Sequence, residues 1–191
     1  MNKKILKKNS EWKANLLIPY LKSNEKVLDF GCGDLTLAKS ILKKKRNLSI
    51  SGVDVVAFNN ASQSIPFYLY DGAKLPFKDN EFDTVISFYV FHHCKSAEKA
   101  FLECMRVAKR VILVESIPRT PLEVPIMKFL DWLFNVWKGE KIDLPFQFYP
   151  SKKWNKIFKK AKAKSFVSEI NNGVMKYMPI GGQYLFEVRK S

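Results

Sequence analysis

Short continuous apolar runs alternate along this chain with stretches whose apolar residues recur every three to four positions. That is the pattern of a mostly parallel sheet wrapped by helices. The runs predict strands over 26–30, 48–54, 66–70, 82–88 and 110–115. Helices are predicted over 10–21, 35–45 and 96–108. Ser10 is placed as the N-cap of the first, with Trp12, Leu16, Leu17 and Tyr20 on one face. The third aligns Ala97, Ala100, Phe101, Cys104 and Val107, and Ala108-Lys109-Arg110 carries it straight into the following strand. Residues 55–65 have little periodicity, so that connection carries a short helix or none.

Beyond Ser116 the pattern changes. Segment 121–138 leaves only Lys128, Asp131, Asn135 and Lys138 as a narrow polar stripe, on one face of a helix that is otherwise apolar all round. Such a helix must be covered. It is expected either to lie buried as a lid over the sheet, or to offer part of its face to an apolar substrate or a membrane surface. With the aromatic, proline-stiffened loop 144–150 it makes 117–150 a cap on the substrate side. An amphipathic helix over 151–162 follows, with Trp154, Ile157, Phe158 and Ala161 inward. Two more strands, 165–170 and 183–189, are predicted, with Gly181-Gly182 bending the chain before the second.

A chain of 191 residues with 47% apolar content fits one core, and hence one domain over 1–191. No apolar run reaches the ~18–20 residues that span a bilayer, and Met1 to Lys8 has no long hydrophobic segment behind it, so a cytoplasmic protein is expected. Cys32, Cys94 and Cys104 are odd in number and irregularly spaced, which suits reduced, packed thiols. A metal site is not expected from His92, His93, Cys94 and Cys104, since neither Cys-x-x-Cys nor His-x-x-x-His occurs. The net charge of +15 comes mainly from lysine, only five of the 33 basic residues being arginine, and reads as a diffuse field more than a nucleic-acid interface.

The chemistry concentrates at strand ends. Val27-Leu28-Asp29-Phe30-Gly31-Cys32-Gly33 is an apolar strand closing on an acid and a glycine turn before a helix, and Asp54 and Asp71 close the next two strands. Polar groups at successive strand ends, with helix N–H groups beside them, are how open α/β sheets bind nucleotide-like ligands. A dinucleotide oxidoreductase begins the same way, but its third glycine would fall at Thr36.

Over about residues 10–116 the chain resembles the class I S-adenosylmethionine-dependent methyltransferases of small-molecule type. Asp29-Phe30-Gly31-Cys32-Gly33 resembles their first motif, Phe82 to Ser87 their fourth-strand motif, and Phe91-His92-His93 the Leu-His-His found after it. The resemblance implies a doubly wound, mostly parallel, seven-stranded Rossmann-like sheet whose last two strands are antiparallel. It places Asp29, Gly31, Cys32, Gly33, Asp54, Val55, Asp71, Gly72 and Phe88 around S-adenosylmethionine, with Asp54 on the ribose hydroxyls and Asp71-Gly72 beside the adenine. Leu35 stands where many members have a third glycine, a departure expected to crowd or shift the cofactor's methionine end. The tetrapeptide by which many nucleic-acid amino-methyltransferases hold their target is missing, since Ser87-Phe88-Tyr89-Val90 occupies its place.

The implied acceptor is therefore a small, apolar or aromatic molecule. A nucleic-acid-modifying enzyme and a non-catalytic cofactor-binding protein on the same scaffold are the other readings. His92 or His93 is the candidate general base. Because adjacent residues at a helix start diverge, only one of them is expected to face the substrate. Glu115 is a second candidate, and Tyr89 takes a place where relatives of this subgroup tend to carry Asp.

Overall fold

Apolar residues on both faces of a strand require cover on both sides, and the computed structural model provides it. It describes residues 3–57, 64–137, 146–170 and 180–191, with side chains outside 3–7 and 134–137. Strands β1 (Lys26–Phe30), β2 (Ser49–Asp54), β3 (Phe67–Leu69), β4 (Phe82–Phe88) and β5 (Ala108–Ile117) run parallel. β6 (Ala163–Glu169) and β7 (Gly182–Lys190) form the antiparallel pair, and the sheet order is β3-β2-β1-β4-β5-β7-β6. The chain winds outward from β1 to β3 and then returns to β4 on the other side of β1. The connections leaving β1 and β4 therefore diverge, and a crevice opens at their C-terminal ends.

Alternation along the strands sorts side chains into two cores. On one face Val27, Ile50, Ile86 and Ile112 pack with α1 (Lys3–Leu17) and α2 (Thr36–Lys44). On the other, Leu28, Phe30, Val85 and Val111 pack with α3 (Ala97–Val107) and α5 (Ser151–Lys160), where Phe101, Trp154 and Phe158 supply most of the bulk. The same alternation sends Asp29 to the face of α1.

Two helices depart from the sequence reading. The first already runs at Lys3, so Ser10 is not its cap. Ser10 is buried inside the helix, where the Ser40 hydroxyl donates to its Oγ at 3.1 Å and ties α2 to α1. Regular helix ends at Leu17, because Pro19 has no N–H to continue it and the chain tightens into a 3-10 turn over Ile18–Tyr20.

The second is α4 (Glu123–Trp137), which is not buried all round. Met127 faces inward, while Ile126, Phe129, Trp132 and Leu133, and Leu122 just before the helix, lie exposed. Loop residues 144 and 145, like 58–63 between β2 and β3, fall outside the described residues.

At the opposite, N-terminal end of the sheet a buried arginine binds distant segments together. Arg110 donates to both oxygens of Glu25 at 2.8 and 2.9 Å, to Glu187 at 2.8 Å, to the Thr84 hydroxyl at 2.8 Å and to the Tyr20 carbonyl at 2.6 Å. Such a charge is tolerable because every arm of the fork is paired.

Candidate functional site

The glycine turn after β1 forms the floor of the crevice. Gly31 sits at φ +71°, and a Cβ there would meet Val90 Cγ2 at 2.5 Å. Gly33, at φ +53°, has nothing within 4 Å of where a Cβ would stand, so this residue opens onto free space. Its N–H donates to Asp54 Oδ2 at 2.8 Å.

Leu35 adopts the left-handed conformation that a third glycine would take, with φ 63°. Its side chain is fully buried in the core instead of crowding the ligand. Gly52 on β2 makes the room: a Cβ there would meet Cys32 Sγ at 2.6 Å and Leu35 Cδ2 closer still. Cys32 is buried as well, and burial pushes its thiol far above the ordinary range, so it packs and does not react.

Asp29 lies under this turn at 2% exposure, and its Oδ2 has no hydrogen-bond partner among the described residues. Burial raises its carboxyl to about 7, opposed by the positive charge of Lys13 on α1. The Lys13 ammonium stands 4.6 Å from the centre of the Phe88 ring and 5.7 Å from that of Tyr89. Phe88 itself is buried, edge-on to Trp12 at 5.7 Å. The sequence reading overlooked Lys13, because one lysine among so many looks like background charge.

Asp54 also holds the turn that follows β2. Its Oδ1 accepts from the N–H groups of Val55 at 2.7 Å and Val56 at 3.2 Å, while burial raises its pKa. Asp71 after β3 is exposed, and accepts from Ala73 and Lys74 N–H, which lowers its pKa. Val55 and Gly72 meet between the two turns, where a Cβ on Gly72 would lie 3.5 Å from Val55 Cγ1. Of the cofactor residues suggested by the sequence, Asp29, Gly31, Gly33, Asp54, Val55, Asp71 and Gly72 thus surround one crevice, while Cys32 and Phe88 support it from within the core.

A second cluster forms where β4 and β5 end. Tyr89 reverses the chain at φ 59°, after which Val90 and Phe91 donate their N–H groups to Glu115 Oε1 at 3.0 and 2.8 Å. Glu115, only 1% exposed, turns its other oxygen to His92 Nδ1 at 2.6 Å. With Oε1 taken up by two backbone N–H groups, Oε2 accepts from Nδ1, which carries the proton, and Nε2 points away from it. Glu115 is therefore the anchor of His92 and not a free base.

His92 Nε2 and His93 Nε2 each lie 3.5 Å from Asp131 Oδ2, with ring centres 4.0 Å apart. The expected divergence of the two histidines does not occur. The tight 3-10 turn over Phe91–His93 brings the rings together, with Phe148 stacked on His92 at 4.7 Å and Phe146 edge-on to His93 at 5.5 Å. For His92, burial opposes the charge, but Glu115 and Asp131 outweigh it and raise the pKa to about 9. Asp131 comes from α4, whose Ile126, Phe129, Trp132 and Leu133 are exposed to the outside. Nothing in the sequence links it to His92 and His93, because the contact depends on how α4 rolls against the sheet.

The methyltransferase domain model matches residues 28–111. The demethylmenaquinone methyltransferase of Thermotoga maritima is 27% identical over 119 residues, 58% of this chain and 52% of that protein. The match thus spans about half the length of that curated relative. Among solved structures, the YcgJ protein of Bacillus subtilis superposes with a TM-score of 0.70 at 16% identity, over 94% of this chain and 99% of that one. A SAM-dependent methyltransferase from Aquifex aeolicus gives 0.64 at 16% identity, over 92% and 89%. The strand order, with its antiparallel last pair, agrees with the fold of these structures, and residues 28–111 carry the match to the methyltransferase domain.

Proposed function

We propose that the chain transfers a methyl group from S-adenosylmethionine to a small, apolar or aromatic acceptor. The observation that carries the cofactor half of this reading is Asp29: a buried carboxylate with an oxygen left over, beneath a glycine turn that opens onto free space. A buried polar atom in that condition costs stability unless a ligand completes it, and a cationic amino-acid group does so best. Asp54 would hold the ribose hydroxyls, with Val55, Asp71 and Gly72 flanking the adenine. The bound cofactor supplies a methyl group already activated on a sulfonium sulfur, so the protein's part is mainly alignment and exclusion of water. On the acceptor side, His92, His93 and Asp131 present basic and negative groups beneath the aromatic rings of Phe146 and Phe148, suited to an apolar molecule with an ionisable hydroxyl. The Thermotoga relative is named a demethylmenaquinone methyltransferase, and an acceptor of that name is in keeping with the apolar half of this reading.

Calorimetry with S-adenosylmethionine is the direct test. Asp54→Ala removes charge-assisted bonds of about 1.5–3 kcal/mol and also loosens Gly33, so affinity is expected to fall roughly ten- to a hundredfold. Absence of binding to the wild type, or binding indifferent to this substitution, would sink the reading.

The outward face of α4 adds a second element. Among the described residues no helix is long and apolar enough to cross a membrane. Leu122, Ile126, Phe129, Trp132 and Leu133 nevertheless form an exposed apolar stripe beside Lys128 on a strongly basic chain, a combination that favours resting on an anionic lipid surface from which an apolar acceptor can be drawn. Trp132 is 48% exposed, so Trp132→Ala should leave the fold intact while reducing co-sedimentation with anionic vesicles severalfold. Equal sedimentation of variant and wild type would count against the contact.

A further inference from the structure

We propose that His92, His93 and Asp131 form a binding site for one divalent transition-metal ion of the Zn2+ class, with an open coordination position for an oxygen of the methyl acceptor. One ring nitrogen from each histidine and a carboxylate oxygen of Asp131 lie within 4.8 Å of one another. Both Nε2 atoms stand 3.5 Å from Asp131 Oδ2. Two ligand atoms about 2.0–2.1 Å from one Zn2+ at a tetrahedral angle are about 3.3–3.4 Å apart, whereas an N–H···O bond prefers about 2.7–3.2 Å. Two edges of the cluster thus have the length of a coordination polyhedron.

The surroundings point the same way. The 2.6 Å contact of Glu115 with His92 Nδ1 fixes the tautomer that leaves Nε2 as the ligating atom, the role carboxylates play behind metal-bound imidazoles. Glu115 is in turn locked by the N–H groups of Val90 and Phe91, and Phe148 holds the His92 ring in place by stacking. Two imidazoles and one carboxylate favour Zn2+, Co2+ or Fe2+ over Mg2+ or Ca2+. Three protein ligands leave a position for water or an acceptor hydroxyl, which a Lewis acid makes easier to deprotonate. That use rests on the methyltransferase reading. The existence of the site does not.

The test is a titration of the chelator-treated, full-length chain with Co2+ and Zn2+, read by calorimetry and by the visible absorption of bound Co2+. One equivalent is expected to bind and to persist in millimolar Mg2+. Asp131→Asn and His93→Gln, both at partly exposed positions that tolerate such changes, should each weaken it at least tenfold, and Glu115→Gln should weaken it less. No stoichiometric binding, or binding unchanged in both ligand variants, overturns the site. Neither cofactor nor acceptor enters the measurement, so a negative result removes the metal proposal alone.

Discussion

Replacing Asp29 with asparagine is expected to stabilise the ligand-free chain above pH 7 and to cost it at least tenfold in affinity for S-adenosylmethionine. The folded carboxyl titrates at about 7, against an ordinary 3.8. Between those values the folded chain keeps a proton that the unfolded chain has lost. The favourable contribution of this group is therefore complete below about pH 4 and is lost as pH rises through 7. Three pKa units correspond to about 4 kcal/mol, carried at neutral pH as the cost of a buried charge. Asparagine removes that cost and forfeits the attraction to Lys13, for a net gain of about 2–4 kcal/mol at pH 8 that shrinks towards pH 5. Denaturant melts at the two pH values measure it. A variant less stable than wild type at pH 8 would show that Asp29 is content without a ligand. The same charge lost to a cationic cofactor accounts for the fall in affinity, and wild-type affinity should itself weaken below pH 7.

Gly31 and Gly33 should separate stability from binding. Gly31→Ala combines a left-handed backbone with a methyl driven into Val90, about 1 kcal/mol of strain plus about 1–3 kcal/mol of overpacking. Gly33→Ala incurs only the strain, because its methyl enters open space. That space is where the cofactor is proposed to lie, so Gly33→Ala should keep most of its thermal stability and lose at least tenfold in cofactor affinity. Gly31→Ala should melt several degrees lower. Melting curves and calorimetry on both proteins give the comparison, and a Gly33→Ala protein with undiminished affinity would remove the crevice from consideration.

Strand positions were legible because a buried parallel strand needs a continuous apolar run, and few other elements tolerate one: 26–30 and 82–88 coincide with β1 and β4. The crevice residues were legible because glycine and aspartate at strand ends serve backbone geometry and ligand chemistry together. What escaped was set by tertiary placement. Ser10 has the composition of a cap, yet its hydroxyl is used between helices. The outward roll of α4, the pairing of Leu35 with Gly52, and the meeting of Asp131 with two histidines each depend on elements far apart in sequence, which periodicity cannot register.

The sheet order bears on how the chain is made. β7 follows β6 in the sequence yet lies between β5 and β6, and its Glu187 completes the pairing of Arg110. Until residues 182–190 have emerged from the ribosome, β5 carries a bare edge, β6 has no neighbour, and a buried cation lacks one of its two counter-ions. Synthesis therefore runs nearly to β7's last residue with the parallel half of the sheet assembled and its open side vulnerable to association with other nascent chains.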